Sequence, residues 1–367
     1  MKVFVTGTRG IPDIPGGVEK HCQELYPIIA AKGHQILLST RKPYVTGYQS
    51  TWQRVYLVHT YAPRRKSIEA IAHTFLSVIK ARLFNPDIVH IHAIGPGLMV
   101  PFARLLGLKV VVTNHGPDYD RQKWGIAAKT MLRLGEYLGS YFANEVIVIS
   151  KIIEGIVQKR CDRNVHLIYN GVVLPRKSEK NDFLNKIGVA KKEYIIAVSR
   201  FVPEKGLDLL IQAFRSMDSD YKLVIAGDSD HETQYSKSIR ELAAQDNRII
   251  LTGYIGGEEL NQVYPHARLF VLPSFHEGLP IALLEAMSYG LSVLVSDIPA
   301  NLEVGLSQDR YFKCGDVDDL QQKMKILMEK QLTEVEKQKI QRQIETDYNW
   351  NIIADQTIEV YKKVMAG

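Results

Sequence analysis

Residues Pro273–Gly290 read P-S-F-H-E-G-L-P-I-A-L-L-E-A-M-S-Y-G, and the rest of the chain is best read outward from them. The apolar run before them, Leu269–Leu272, has the character of a strand buried in a parallel sheet. Ser274–Leu279 is a short loop. Pro280 suits the first position of a helix, since it has no N–H to leave unpaired there. Ile281, Leu283, Leu284, Ala286 and Met287 form an apolar stripe, Gly290 suits the stop, and Leu291–Val295 reads as the next strand. This order places Glu277 in the loop and Glu285 on the helix, one turn past Ile281. The loop and the helix start offer backbone N–H groups and roughly half a positive charge, a seat for phosphate. An ionised carboxylate only accepts hydrogen bonds, so Glu285 suits a vicinal diol such as ribose. Gly278 lets a ligand approach the backbone closely. Taken singly, these features also describe a helix start with a matching acid and an exposed glutamate in the second turn. Together they place Glu285 beside the apolar stripe of a helix between two buried strands, which points to a ligand.

A chain of 367 residues predicts about two domains of ~150 residues each. Its charged and apolar fractions, 23% and 46%, are those of an ordinary globular protein. No apolar stretch reaches the ~18 residues of a membrane-spanning helix. The opening M-K-V-F-V-T-G reads as a strand running into a glycine turn, not as a signal peptide. Cys22, Cys161 and Cys314 are widely spaced and odd in number, which predicts reduced thiols, a cytosolic setting and no zinc cluster of cysteines. Charge is uneven. Residues 1–175 hold 22 basic and 11 acidic side chains, and residues 176–367 hold 24 and 29. A first half at +11 beside a second at −5 predicts an anionic partner for the first. Nucleic acid would answer to that charge, but no RNA- or DNA-binding motif is present, and an anionic membrane face or a pyrophosphate-bearing acceptor fits as well.

The spacing E-G-L-P-x-x-x-x-E resembles the signature of family 4 glycosyltransferases, which have the GT-B fold. The resemblance implies an α/β chain of two Rossmann-like domains facing across a cleft. It runs from Gly7 to about Tyr361 and is more specific in the second half than in the first. The expected domains are 1–174, which binds the acceptor and against which a final helix 351–367 packs, and 175–350, which binds the nucleotide-sugar donor. Polar Leu174–Asn181 reads as the linker.

In the first half, strand Lys2–Val5 runs into T-G-T-R-G-I-P-D-I-P-G-G-V-E and a helix over Lys20–Lys32. Strand, glycine loop and helix present N–H groups to phosphate, although the loop is not the G-x-G-x-x-G of a dinucleotide site. It resembles the family's N-terminal glycine loop, which implies that Gly16 and Gly17 lie beside the donor. Ala62-Pro63-Arg64-Arg65-Lys66 precedes a helix over Ile68–Leu83, and its cations suit anionic lipid headgroups as well as a solvated turn. D-I-V-H-I-H, Asp87–His92, is a buried strand with His90 and His92 on one face. A third metal ligand is not apparent there, so core or cleft-lining histidines are the expectation. His115 follows strand Lys109–Thr113, at the strand ends where ligands gather. It resembles the family's cleft histidine near the point of transfer, and Asp118, Asp120 and Arg121 on its loop face the acceptor in that reading. Ser150 is a plausible helix cap after strand Glu145–Ile149.

In the second half, Tyr194–Val198 leads into S-R-F-V-P-E-K-G and helix Leu207–Phe214. Arg200 and Lys205, a guanidinium fork and a point ammonium near one helix start, make a diphosphate clamp in a stretch resembling the family's diphosphate-binding loop. Asp228 and Asp230 form a D-x-D, a spacing that holds Mn²⁺ or Mg²⁺ elsewhere but that this fold does not require. After strand Ile249–Thr252 the resemblance places Tyr254 at the nucleobase.

The resemblance therefore implies transfer of a hexose or deoxyhexose from a nucleoside diphosphate sugar, with retained anomeric configuration and without a metal cofactor. Arg200 and Lys205 hold the diphosphate. Gly16, Gly17, Gly278, Leu279 and Pro280 line the donor, Glu285 takes the ribose, and Glu277 and His115 touch the sugar. The first half looks most like bacterial enzymes of capsule or O-antigen assembly, rhamnosyltransferases among them. That implies a glycan acceptor linked to undecaprenyl pyrophosphate, and a cytoplasmic enzyme at the inner membrane face. Two rivals share the fold: a nucleotide-sugar epimerase, which needs no acceptor, and an inactive scaffold, which would lack a donor residue.

Overall fold

A computed structural model describes residues 1–45, 47, 49–64, 68–117, 119, 125–174, 178, 180–229, 231–330 and 332–367. They divide into two compact units, Met1–Gly171 with Trp350–Gly367, and Val172–Asn349.

The first unit is built on eight strands: β1 (Lys2–Thr6), β2 (Gln35–Arg41), β3 (Thr51–Trp52), β4 (Val55–Thr60), β5 (Ile88–His92), β6 (Val110–Asn114), β7 (Glu145–Val148) and β8 (His166–Leu167). Their order is β3-β4-β2-β1-β5-β6-β7-β8, parallel except for the short β3–β4 pair. The second unit has six: β9 (Tyr194–Val198), β10 (Lys222–Ala226), β11 (Ile249–Gly253), β12 (Leu269–Leu272), β13 (Val293–Ser296) and β14 (Tyr311–Phe312). These are all parallel, in the order β11-β10-β9-β12-β13-β14. Strands covered on both faces read as continuous apolar runs, which is why these segments stand out in the sequence.

Both orders contain a reversal, and it places the functional loops. In the second unit β9 continues to β10 on one side, while β12 lies on its other side, so the loops leaving β9 and β12 begin next to each other. The first unit reverses between β1 and β5. Ligands of open parallel sheets settle at the carboxyl ends of strands where the order reverses.

The predicted helix over Lys20–Lys32 starts earlier, at Gly17, directly after the glycine loop, and runs to Ala31. Ser150 caps its helix as expected, accepting from the Ile153 N–H at 3.3 Å. Lys129 and Arg133 lie on a helix over Ile126–Phe142 that the sequence pattern did not reveal. The glycines of that helix explain its seat. A Cβ at Gly135 would lie 2.3 Å from the Ile94 carbonyl oxygen, and one at Gly97 would lie 2.5 Å from that of Gly135.

The last helix, Trp350–Ala366, belongs to the first unit. Its Trp350, Ile353, Ala354, Ile358 and Tyr361 share one apolar core with Cys22, Leu25, Tyr26 and Ile29 of the first helix and with Val3 and Val5 of β1. The second core gathers Ile195, Ala197, Leu207, Leu210, Leu223, Val271 and Leu294, closed by Leu320, Met324 and Leu327.

Candidate functional site

Two loops meet at the reversal of the second sheet. One leaves β9 and makes a tight turn, Pro203–Lys205, before helix Leu207–Arg215. The other leaves β12 and ends in helix Ile281–Ser288. The Phe275 N–H donates to the Glu204 carbonyl at 2.9 Å. The Lys205 ammonium lies 2.5 Å from Glu277 Oε1, and the Ser274 hydroxyl donates to the same oxygen at 2.7 Å. The side chains of that ion pair are 19% and 9% exposed, so water screens them weakly. Gly206 permits the approach: its φ of +59° is left-handed, and a Cβ there would lie 2.3 Å from the Pro273 carbonyl oxygen. Arg200 lies on the β9 loop with an exposed side chain.

Pro280 occupies the cap position of the β12 helix, one residue earlier than the sequence predicts, because its ψ of 78° is not helical. The amides of Gly278 and Leu279 make no hydrogen bond to a described residue, so the loop presents donors beside the Lys205 ammonium. Further along the helix, Glu285 Oε2 lies 3.4 Å from the hydroxyl of the buried Tyr264. Burial, and then the Glu285 carboxylate, hold the Tyr264 phenol well above its ordinary pKa, so it stays a donor. Tyr289 stacks on Tyr264 with ring centroids 5.3 Å apart and donates to Asn261, while burial and the Glu285 charge raise its pKa too. Tyr254 follows β11 and is 76% exposed, a free aromatic face.

Asp228 sits 2.5 Å from Arg240, whose guanidinium lies over the Phe201 ring. That carboxylate is tied to a cation; Asp230 lies outside the described residues.

At the reversal of the first sheet, Gly7 and Gly16 shape the loop after β1. A Cβ at Gly7 would lie 2.1 Å from the His92 carbonyl oxygen, and one at Gly16 would meet Glu19 at 2.1 Å. Glu19 in turn accepts from the Arg9 amide at 2.9 Å and pairs with its guanidinium at 3.2 Å, folding the loop onto the helix start. Space beside Gly17 is open.

His115 lies just past β6, as its position in the sequence predicts, with Nε2 2.9 Å from His92 Nδ1. His21 of the first helix stands against it, ring centroids 4.8 Å apart. Burial holds both His92 and His115 well below the ordinary histidine pKa, and the neighbouring histidines add to the effect. His21 is lowered to about 4 by burial, against the raising effect of its bond to Asn170. These imidazoles are therefore neutral near pH 7. Asp118, Asp120 and Arg121, expected on the acceptor side, lie outside the described residues, as do Arg65 and Lys66.

Three partnerships were absent from the sequence reading: Lys205 with Glu277, Tyr264 with Glu285, and His21 with His92 and His115. The first two join residues 72 and 21 positions apart, and no spacing rule reports them. His21 sits in a helix whose later inward residues, Cys22, Leu25, Tyr26, Ile29 and Ala30, form an apolar stripe, and gave no signal of its own.

Comparison with known proteins bears on the fold and the family. The model for glycosyl transferases group 1 matches residues 179–346 and that for glycosyltransferase family 4 matches residues 15–176. The chain belongs to the family 4 glycosyltransferases. It is 24% identical to an uncharacterized glycosyltransferase of Methanocaldococcus jannaschii, over 100% of this chain and 99% of the relative. It is 31% identical to the O-antigen chain mannosyltransferase B of Escherichia coli, over 33% of each. Among solved structures it superposes on Anabaena HepE in complex with UDP-glucose with a TM-score of 0.81, at 17% identity over 99% of both chains. The two parallel-sheet units are thus those of the GT-B fold, as the motif implied, and the chain is a glycosyltransferase.

Proposed function

We propose that this enzyme transfers a hexose or deoxyhexose, with retention of configuration, from a nucleoside diphosphate sugar to a lipid-linked glycan in bacterial surface polysaccharide synthesis. The observation that carries the donor half is the pairing of Lys205 with Glu277 at the reversal of the second sheet, followed in the chain by the amides of Gly278 and Leu279, which make no hydrogen bond to a described residue. A cation and amides fixed before the reaction stabilise charge as it develops on the leaving diphosphate, with no reorganisation at the moment of bond breaking. Arg200 adds a guanidinium fork on the same loop, and no step of this reading uses a metal ion. Glu285, steadied by Tyr264, accepts from the ribose hydroxyls, and Tyr254 offers its ring to the base.

Glu277 serves as a positioner. Its Oε1 is occupied by an ammonium and a hydroxyl, which suits accepting a hydrogen bond from a sugar hydroxyl at the other oxygen better than attack at the anomeric carbon. Transfer on one face, with the leaving phosphate taking the acceptor's proton, keeps the configuration. In the first unit, Gly16 and Gly17 are assigned to phosphate, His115 to the sugar, and Asp118, Asp120 and Arg121 to the acceptor.

The acceptor half draws on the charge of the first 175 residues and on the E. coli O-antigen relative. Exposed Leu83, Leu105 and Ile126 of the first unit, with Lys129 and Arg133, suit an anionic membrane surface bearing such an acceptor. No described helix is long and apolar enough to cross a membrane.

A thermal-shift screen against UDP-, GDP- and dTDP-sugars identifies the donor, since a ligand at a hundredfold excess over its Kd stabilises by about 2.7 kcal/mol. With that donor, Lys205→Ala and Glu285→Ala are expected to abolish transfer while circular dichroism stays that of the parent. Full activity in either removes the assignment. Isomerisation of the nucleotide sugar without acceptor would instead show an epimerase.

A further inference from the structure

Three imidazoles from three separate elements converge in the first unit: His21 from the first helix, His92 from the end of β5 and His115 from just past β6. One ring nitrogen of each lies within 4.8 Å of the others. At a Zn–N distance of about 2.0–2.1 Å, ligands of a tetrahedral ion stand roughly 3.3 Å apart, so small χ rotations bring these nitrogens to range.

The surrounding hydrogen bonds decide which nitrogens carry lone pairs. His21 Nδ1 lies 2.6 Å from Asn170 Oδ1. An amide oxygen only accepts, so Nδ1 carries the proton and Nε2 presents its lone pair. That Nε2 is fully buried and has no hydrogen-bond partner, in a residue that is 4% exposed. A buried acceptor without a donor is destabilising, and an electrophile at that point removes the cost. His92 Nε2 faces the Tyr26 hydroxyl, and its Nδ1 lies 2.9 Å from His115 Nε2. A divalent ion between these two nitrogens requires His92 protonated at Nε2, donating to Tyr26, and His115 protonated at Nδ1. His90 stands apart from the set. Its Nδ1 meets the hydroxyls of Tyr26 and Tyr361 and its Nε2 that of Thr113, so neither nitrogen is spare.

We propose that His21, His92 and His115 form a binding site for a divalent ion of the zinc class, with Asn170 and Tyr26 as outer supports and the fourth coordination position open to an oxygen ligand. Three neutral imidazoles favour Zn²⁺, Co²⁺, Ni²⁺ or Cu²⁺ over Mg²⁺ or Ca²⁺, which take oxygen ligands. An open fourth position distinguishes such a site from a closed structural one. The diphosphate chemistry proposed above does not call on this ion, and binding is read without donor, so either reading can fail alone.

The test uses the full chain, treated with chelator and titrated with Co²⁺. One equivalent is expected to give the intense visible absorption of a four-coordinate ion, and Zn²⁺ is expected to displace it. His21→Gln is expected to weaken binding at least tenfold, and Asn170→Ala by about 10- to 100-fold, the usual loss when an outer partner of a metal-bound histidine is removed. Circular dichroism checks that each variant is folded. X-ray absorption on the Zn²⁺-loaded parent needs no variant and is expected to count three imidazole nitrogens at about 2.0–2.1 Å. Absence of stoichiometric binding, fewer than three imidazoles around the ion, or undiminished affinity in folded His21→Gln overturns the site.

Discussion

The hydroxyl of Tyr264 touches Glu285 and the Ala282 carbonyl, both at 3.4 Å. Those long contacts orient a carboxylate without neutralising it, so Tyr264 acts on donor binding through Glu285. Tyr264→Phe is expected to raise the donor KM several-fold, the worth of one hydrogen bond at about 1 kcal/mol, and to leave kcat close to the parent value. A fall in kcat at unchanged KM would place Tyr264 in the chemical step instead. His73 shows what a buried imidazole costs. Burial, and then the Arg41 charge, lower its pKa from 6.5 to about 3. Folded His73 resists protonation that the unfolded chain accepts, so its contribution to stability is whole above pH 6.5 and is lost progressively as pH falls from there towards about 3. Melting temperatures measured from pH 7.5 to 4.5 are expected to fall less steeply for His73→Gln than for the parent. Parallel slopes would show that this group does not drive the loss.

Among the loops, two glycines separate close approach from backbone freedom. Gly206 and Gly253 both have left-handed φ, +59° and +70°. A Cβ at Gly206 would press on the Pro273 carbonyl, whereas one at Gly253 would meet nothing within 4 Å. Gly253→Ala is expected to cost about 1–2 kcal/mol, the ordinary penalty of a left-handed alanine. Gly206→Ala should cost more in denaturant unfolding, and should also lower transfer, because the two loops that carry Lys205 and Glu277 must separate. Equal losses would mean that the loops yield freely and that their spacing does not matter to the reaction.

Over the whole molecule, the return of the chain at residues 349–350 completes the first unit. Val172 pairs with Asn349, its N–H donating to the Tyr348 carbonyl at 2.8 Å, and Trp350 then turns into the first core. The indole lies against Gly171, where a Cβ would come within 2.5 Å of the ring, and edge-on to His21 at 5.4 Å. Trp350→Ala opens a cavity there and is expected to destabilise the first unit by about 3–5 kcal/mol, seen as an earlier unfolding transition in calorimetry. An unchanged thermogram would show that the indole contributes little.

The apolar strand runs, the loop-to-helix junctions and the spacing of Glu277 and Glu285 are local, and periodicity with turn chemistry suffices to read them. The sequence by itself therefore determined the alternating α/β plan and the family motif. Helix Ile126–Phe142 escaped because its glycines, Gly135 and Gly139, argue against a helix until their packing against Gly97 is seen. Only the tertiary structure decided that Lys205 reaches Glu277, that Tyr264 steadies Glu285 and that His21 joins His92 and His115. Such partnerships follow from strand order, which sets two distant loops side by side, and order is fixed by burying whole faces of a sheet rather than by any short stretch of chain.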